Sequence, residues 1–145
     1  MLIGGSDHTV DKKRRVFIPA RCKADFGENM VICACVFGNK CLWGFTEEGF
    51  ERFCNKLNKF SYDQTQEMYR VLSDGAAFAD FDASGRVLIP SELRSFADIE
   101  SSVHIVGMKN YIEIWSSELW EETKSKVDMS SFAPMVKEMN FSFGD

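Results

Sequence analysis

Two stretches of this chain carry an aspartate and an arginine four residues apart inside the same frame. Asp11-Lys12-Lys13-Arg14-Arg15-Val16-Phe17-Ile18-Pro19 and Asp82-Ala83-Ser84-Gly85-Arg86-Val87-Leu88-Ile89-Pro90 stand 71 residues apart. An aspartate opening a turn accepts backbone N–H groups across it, so Asp11 and Asp82 shape their loops. A guanidinium offers five donors in a planar fork, which suits phosphate oxygens or the edge of guanine. Arg15 and Arg86 are therefore candidate reading residues. The two copies differ at the tip. Gly85 takes the positive φ that a tight turn often needs. Arg14 stands at the same place in the first copy, where a non-glycine residue costs on the order of 1 kcal/mol. That loop either has another geometry or carries strain for the sake of charge. Lys12, Lys13, Arg14 and Arg15 make a basic tip that Ala83, Ser84 and Gly85 do not.

The overall charge is −5, which argues against a polyanionic partner until its distribution is considered. Residues 1–73 hold 11 basic and 9 acidic side chains, and residues 74–145 hold 6 and 13. Between Asp11 and Lys23 there are six cations and one carboxylate. A phosphate backbone responds to such local charge. Arg21 and Lys23, just beyond the first motif, join the candidate DNA-binding set of Lys12, Lys13, Arg14, Arg15 and Arg86.

Other chemistry finds little support. Cys22, Cys33, Cys35, Cys41 and Cys54 are odd in number, and the start of the chain lacks a basic, apolar leader. Reduced thiols are expected rather than a disulfide framework. Cys33 and Cys35 share one face of a strand, but zinc needs four ligands and the only histidines are His8 and His104. Buried free thiols and no metal or cofactor are expected. Trp43, Trp115 and Trp120 fall in apolar patterns suited to core or interface. There is no phosphate-cradling glycine loop, no HExxH and no G-x-S-x-G elbow, so no catalytic residue is assigned and no enzyme or small-molecule substrate is expected. The longest apolar run, Val31 to Phe37, is too short to span a bilayer, and a cytoplasmic protein is expected.

The elements that position the motifs repeat as well. Each half reads as a strand (His8 to Val10; Phe78 to Phe81), the aspartate turn, and a second strand (Arg15 to Ile18; Arg86 to Ile89). Proline then stops the ladder and opens a short helix (Ala20 to Phe26; Ser91 to Ala97). Two more strands follow (Met30 to Val36 and Cys41 to Phe45; Val103 to Val106 and Tyr111 to Trp115). A closing helix is capped by Thr46 or Ser116. Phe50, Phe53, Cys54 and Leu57 line one helical face. Met68, Val71 and Leu72 suggest a short helix between the halves. Phe132, Met135, Met139, Phe141 and Phe143 suggest a docking tail. The spacing predicts an α+β protein with a first half at 1–60, a helical connector at 61–74, a second half at 75–127 and a tail at 128–145. About 70 residues with four short strands close a core poorly, so the halves should supply each other's missing strands as one pseudo-symmetric unit.

His8-Thr-Val-Asp-Lys-Lys-Arg-Arg-Val-Phe-Ile-Pro-Ala-Arg21 resembles the first signature of the MraZ family. Gly75-Ala76 followed by Asp82-Ala-Ser-Gly-Arg-Val-Leu-Ile-Pro-Ser-Glu-Leu-Arg94 resembles the second, and Val106-Gly107 and Glu113-Ile-Trp115 also fit. The resemblance runs to about residue 127. It implies two AbrB-like swapped-hairpin halves, double-psi or β-barrel-like. It also implies a nucleoid-associated transcriptional regulator that binds short direct repeats of double-stranded DNA in the promoter of its own division and cell-wall gene cluster, as a homo-oligomeric ring. Arg14 departs from the family's usual glycine. A ring suits the arithmetic: one basic loop binds weakly at physiological salt, whereas several copies spaced by a helical turn gain avidity. The competing expectation is a swapped-hairpin protein-interaction module without specific DNA binding, suggested by the acidic second half and the apolar tail.

Overall fold

A computed structural model describes residues 1–140. The chain alternates strands and helices in the order β1 (Gly5–Thr9), β2 (Arg15–Phe17), α1 (Ala20–Phe26), β3 (Asn29–Ala34), β4 (Leu42–Phe45), α2 (Glu47–Lys56), α3 (Tyr62–Gly75), β5 (Ala77–Asp80), β6 (Arg86–Leu88), α4 (Ser91–Phe96), β7 (Ser102–Gly107), β8 (Ile112–Ser116), α5 (Ser117–Ser125) and α6 (Ala133–Glu138). Single 3-10 turns occupy Leu57–Lys59 and Met129–Phe132. The class is α+β, and all strand pairing is antiparallel among the described residues.

The strands form a six-stranded sheet in the order β1-β7-β8-β4-β3-β5 and a two-stranded ribbon of β2 with β6. The strands flanking each aspartate turn pair with strands of the other half rather than with each other. β1 lies along β7 of the second half, and β5 lies along β3 of the first. Across the first turn only a single bridge, Val10 with Val16, remains. The reason is burial. In the β2–β6 ribbon Val16 stands opposite Val87, and both are fully buried, as are Ile18 and Ile89 at the ribbon ends. Arg15, Phe17, Arg86 and Leu88 alternate onto the other face, the side-chain period of a strand. Three-residue strands cannot close a core within their own half, so each half completes the other. β1 and β5 remain the two edges of the large sheet, which does not close by hydrogen bonding into a barrel.

The central strands are covered on both faces. One core joins Leu42, Ile112 and Ile114 to the ribbon valines and to Cys22, Phe26 and Leu93 from α1 and α4. The other gathers Cys33, Cys35, Cys41, Trp43, Phe45, Leu72 and Trp115, with Phe50 and Phe53 of α2 and Trp120 of α5 packed against it. Gly44 sits where a Cβ would come within 2.8 Å of both Ile112 and Met30, so β4 and β8 approach closely only because that side chain is missing. Pro19 and Pro90, with φ of −50° and −56°, end the ribbon strands and set the entry to α1 and α4. Thr46 and Ser116 cap α2 and α5 through Gly49 and Leu119 N–H, as expected.

The connector expected at 61–74, with a short helix around Met68 to Leu72, is helical throughout as α3. α3 runs 14 residues from a Ser61–Gln64 capping box, which satisfies two orphan N–H groups and starts the helix early. Among the described residues of the apolar tail, Phe132, Met135 and Met139 are exposed rather than docked on the chain. Phe141 and Phe143 lie outside the described residues.

Candidate nucleic-acid interface

The two aspartate turns have one geometry. In the first, Asp11 N–H donates to the Arg15 carbonyl at 3.0 Å and Arg14 N–H donates back to the Asp11 carbonyl at 3.0 Å. Asp11 Oδ1 accepts from Lys13 N–H at 2.9 Å and Arg15 N–H at 2.8 Å. In the second, Asp82 and Arg86 make the same backbone pair at 2.9 Å, Gly85 N–H reaches the Asp82 carbonyl at 3.0 Å, and Asp82 Oδ1 accepts from Ser84 and Arg86 N–H, each at 2.9 Å. Gly85 has φ +82° and Arg14 has φ +64°. Arg14 therefore adopts the left-handed conformation and does not change the loop. Its strain, about 1 kcal/mol, is the cost of placing a cation where glycine would be relaxed.

The two loops are tied together over the ribbon. Arg15 Nε donates to Asp11 Oδ2 at 3.1 Å, and Arg15 Nη1 donates to Asp82 Oδ2 at 3.0 Å. Arg86 Nε stands 4.0 Å from Asp11 Oδ2, so its nearest carboxylate belongs to the opposite loop rather than to its own. Ile18 N–H donates to the Gly85 carbonyl and Ile89 N–H to the Arg14 carbonyl, which pins each tip to the end of the other strand. The repeated charges thus form a quartet of two carboxylates and two guanidiniums, neutral in sum. Arg15 is bound at the centre of this quartet, though its side chain keeps about a third of its surface.

The Arg15 backbone N–H, more than any other donor, holds the Asp11 carboxyl below the usual carboxylate value, and the Arg86 backbone N–H does the same for Asp82. A depressed folded pKa contributes stability that is complete above the unfolded value and is lost as pH falls through the folded one. Resistance to urea should therefore show no contribution from these two groups to its slope from about pH 5 upward, and should fall below about pH 4. An Asp11→Asn, Asp82→Asn variant followed through the same titration should lack that part of the acid loss. An identical acid profile would contradict the assignment.

Uncompensated charge lies at the residues that the repeat does not share. Lys12, Lys13 and Arg14 are exposed at the first tip and make no ion pair among the described residues. Ala83 and Ser84 expose no charge at the second. Arg21 is exposed on α1, two residues after Pro19, whereas Lys23 is half-buried with Nζ 5.6 Å above the Phe81 ring. The structure thus brings Asp11, Arg15, Asp82 and Arg86 into one cluster and leaves Lys12, Lys13, Arg14 and Arg21 facing solvent. Sequence reasoning missed the Arg15–Asp82 tie. The duplicated Asp-x-x-x-Arg spacing was its only signal, since two equal loops on one antiparallel ribbon must face each other across a local two-fold axis.

Arg94 donates to the Ile89 carbonyl and so braces the end of the ribbon. His104 stacks on Trp120 with ring centroids 4.5 Å apart and pairs with Asp7 at 2.8 Å. His8 lies against Phe17, and its burial pushes its pKa down. All five cysteines are free; Cys22, Cys33, Cys35 and Cys41 are buried, Cys54 is half-buried, and burial lifts the Cys33 thiol to about 12.

No helix among the described residues is long and apolar enough to cross a membrane. The family model described as "MraZ protein, putative antitoxin-like" matches the chain twice, over residues 1–71 and 72–141. The chain is 33% identical over 145 residues to the transcriptional regulator MraZ of Roseiflexus sp. (strain RS-1), covering 97% of this chain and 100% of that protein. It is 38% identical over 124 residues to the transcriptional regulator MraZ of Finegoldia magna, covering 84% and 85%. With the MraZ protein of Lachnoclostridium phytofermentans it shares 31% identity over 144 residues, 99% of this chain and 100% of that one. Two family matches that meet between the halves, and relatives that run its full length, show that the chain belongs to the MraZ family.

Proposed function

We propose that this chain is a sequence-specific, double-stranded DNA-binding transcriptional regulator that recognises short direct repeats in a promoter, that of its own division and cell-wall gene cluster. The observation that carries the reading is the first loop: three adjacent, exposed cations on a backbone fixed by five side-chain and main-chain bonds of Asp11. A rigid cationic tip loses little entropy on meeting a phosphate backbone. Lys12, Lys13, Arg14 and Arg21 supply the leading contacts. Arg15, Lys23 and Arg86 complete the interface while bracing it. Asp11, Asp82 and Gly85 hold the loops in shape. The exchange of β1 and β5 between the halves supports reading each half as an AbrB-like swapped hairpin.

Each chain offers one strongly basic loop, so several chains in a ring, each meeting one repeat, give the affinity that one loop lacks. Mobility-shift titrations on promoter DNA with one, two and three repeats test this. Affinity should climb by tenfold or more with each added repeat at native spacing and drop when a half-turn of about 5 bp is inserted between repeats. Affinity indifferent to repeat number and phase would reject the reading.

A second reading, a protein-interaction module without specific DNA binding, draws on the exposed Phe132, Met135, Val136 and Met139. Capture of a stoichiometric protein partner from nuclease-treated lysate, with no discrimination among DNA sequences, would favour it.

A further inference from the structure

The sequence draws attention to Cys33 and Cys35, but the fold creates a different pair. The β3–β4 register places Ile32 opposite Gly44, Cys33 opposite Trp43 and Ala34 opposite Leu42. The next pair in that register is Cys35 with Cys41, and Cys35 N–H donates to the Cys41 carbonyl at 3.0 Å. Residues directly opposed in this way have Cα atoms about 5.5 Å apart and side chains on one face. That separation lies inside the range of roughly 4.4–6.8 Å that a disulfide spans. Both thiols belong to the aromatic core beneath α2 and α3, and the five residues between them, Val36 to Lys40, form the loop of the hairpin.

The two sulfurs have different surroundings. Cys35 lines a cavity of about 540 Å³ between the hairpin loop and α3, with Lys40 and Met68 among its walls, and its sulfur accepts the Phe37 N–H at 3.3 Å. Cys41 is fully buried, with its S–H directed at Glu113 Oε2, 3.8 Å away. The cavity is large enough to admit a small oxidant to the Cys35 sulfur.

We propose that Cys35 and Cys41 form an oxidisable dithiol, with Cys35 as the attacking thiol and Cys41 as the resolving one, closing a disulfide across the β3–β4 hairpin when hydrogen peroxide is the oxidant. The Cys35 sulfur attacks one peroxide oxygen and the O–O bond breaks. The departing hydroxide takes the Cys35 proton and leaves as water, and Cys35 becomes a sulfenic acid. The Cys41 sulfur then attacks the Cys35 sulfur and the S–O bond breaks. That hydroxide leaves with the Cys41 proton as a second water. Both sulfurs are oxidised, and one peroxide is reduced to two waters. The bridge removes the Cys41 donor from Glu113, whose other oxygen still accepts the Trp115 indole N–H at 3.0 Å.

The test treats the native full-length chain with hydrogen peroxide, blocks free thiols under denaturing conditions and maps peptides without reduction. A Cys35–Cys41 cross-linked peptide, lighter by two hydrogen atoms and restored by dithiothreitol, is expected, with Cys22, Cys33 and Cys54 still alkylated. In Cys41→Ser, dimedone should label Cys35 instead. A bridge mapping to Cys33 and Cys54, or Cys35 advancing to the sulfinic acid while Cys41 stays a free thiol in the wild type, would overturn the proposal. The wild-type map decides even if the variant does not fold.

Discussion

The combined replacement Lys12→Ala, Lys13→Ala, Arg14→Gly should abolish tight DNA binding while leaving the protein folded and slightly more stable. The Asp11–Arg15 and Asp82–Arg86 charges neutralise one another, so removing these three residues takes away the uncompensated cations of the first tip. At about 1 kcal/mol for each phosphate neutralised, the cost is about 3 kcal/mol, on the order of 100-fold in affinity. The slope of log affinity against log salt should fall by roughly 0.9 for each phosphate that no longer meets a cation. Stability should move the other way. Lys13 contributes only its backbone N–H to the Asp11 turn, which alanine keeps. Glycine at 14 relieves the φ of +64°, for a net gain of at most about 0.5 kcal/mol after its greater freedom when unfolded is counted. Urea denaturation and fluorescence anisotropy on the same preparation separate the two effects. A variant that loses binding because it unfolds would contradict this division between charge and frame.

Ile89→Ala should destabilise the whole molecule by about 2–5 kcal/mol, although it lies in the half whose loop carries no exposed charge. Ile89 is fully buried in the core that also holds Val16, Ile18, Leu42 and Ile114 of the two halves. Its N–H also anchors the Arg14 carbonyl at 3.1 Å. With β1 on β7, β5 on β3 and β2 on β6, a cavity in either half is shared by both. Unfolding should remain one transition by circular dichroism and by tryptophan fluorescence, with both midpoints shifted together. Two separated transitions, with the first half surviving, would show that the halves are independent units.

The residue pattern revealed the repeat because the same physics had to be met twice: an aspartate to gather N–H groups, alternating Val and Ile to bury one ribbon face, and a proline to stop it. Helix caps at Thr46 and Ser116 were legible for the same local reason. Strand pairing was not. Val16 and Val87 would alternate identically whether β2 paired with its own neighbour or with β6, so periodicity fixes the face and leaves the partner open. The same blindness hid the Arg15–Asp82 bond, 67 residues apart in sequence, and made Arg15 look free to meet a ligand. Cys33-x-Cys35 stood out as a sequence neighbour pair, whereas the hairpin register selected Cys35 with Cys41. Arg14 was legible as an anomaly from its glycine counterpart, and the shared loop geometry decides between its two explanations.

The most direct test of sequence-specific DNA binding is fluorescence anisotropy of the wild-type chain with DNA from upstream of its own gene and with a scrambled duplex, each across a salt series. The native sequence should bind at least ~10³-fold more tightly at physiological salt, the order expected of specific recognition, and both affinities should fall steeply as salt rises. Equal, weak binding to the two duplexes would contradict it and leave the cations of the first loop as solvated surface.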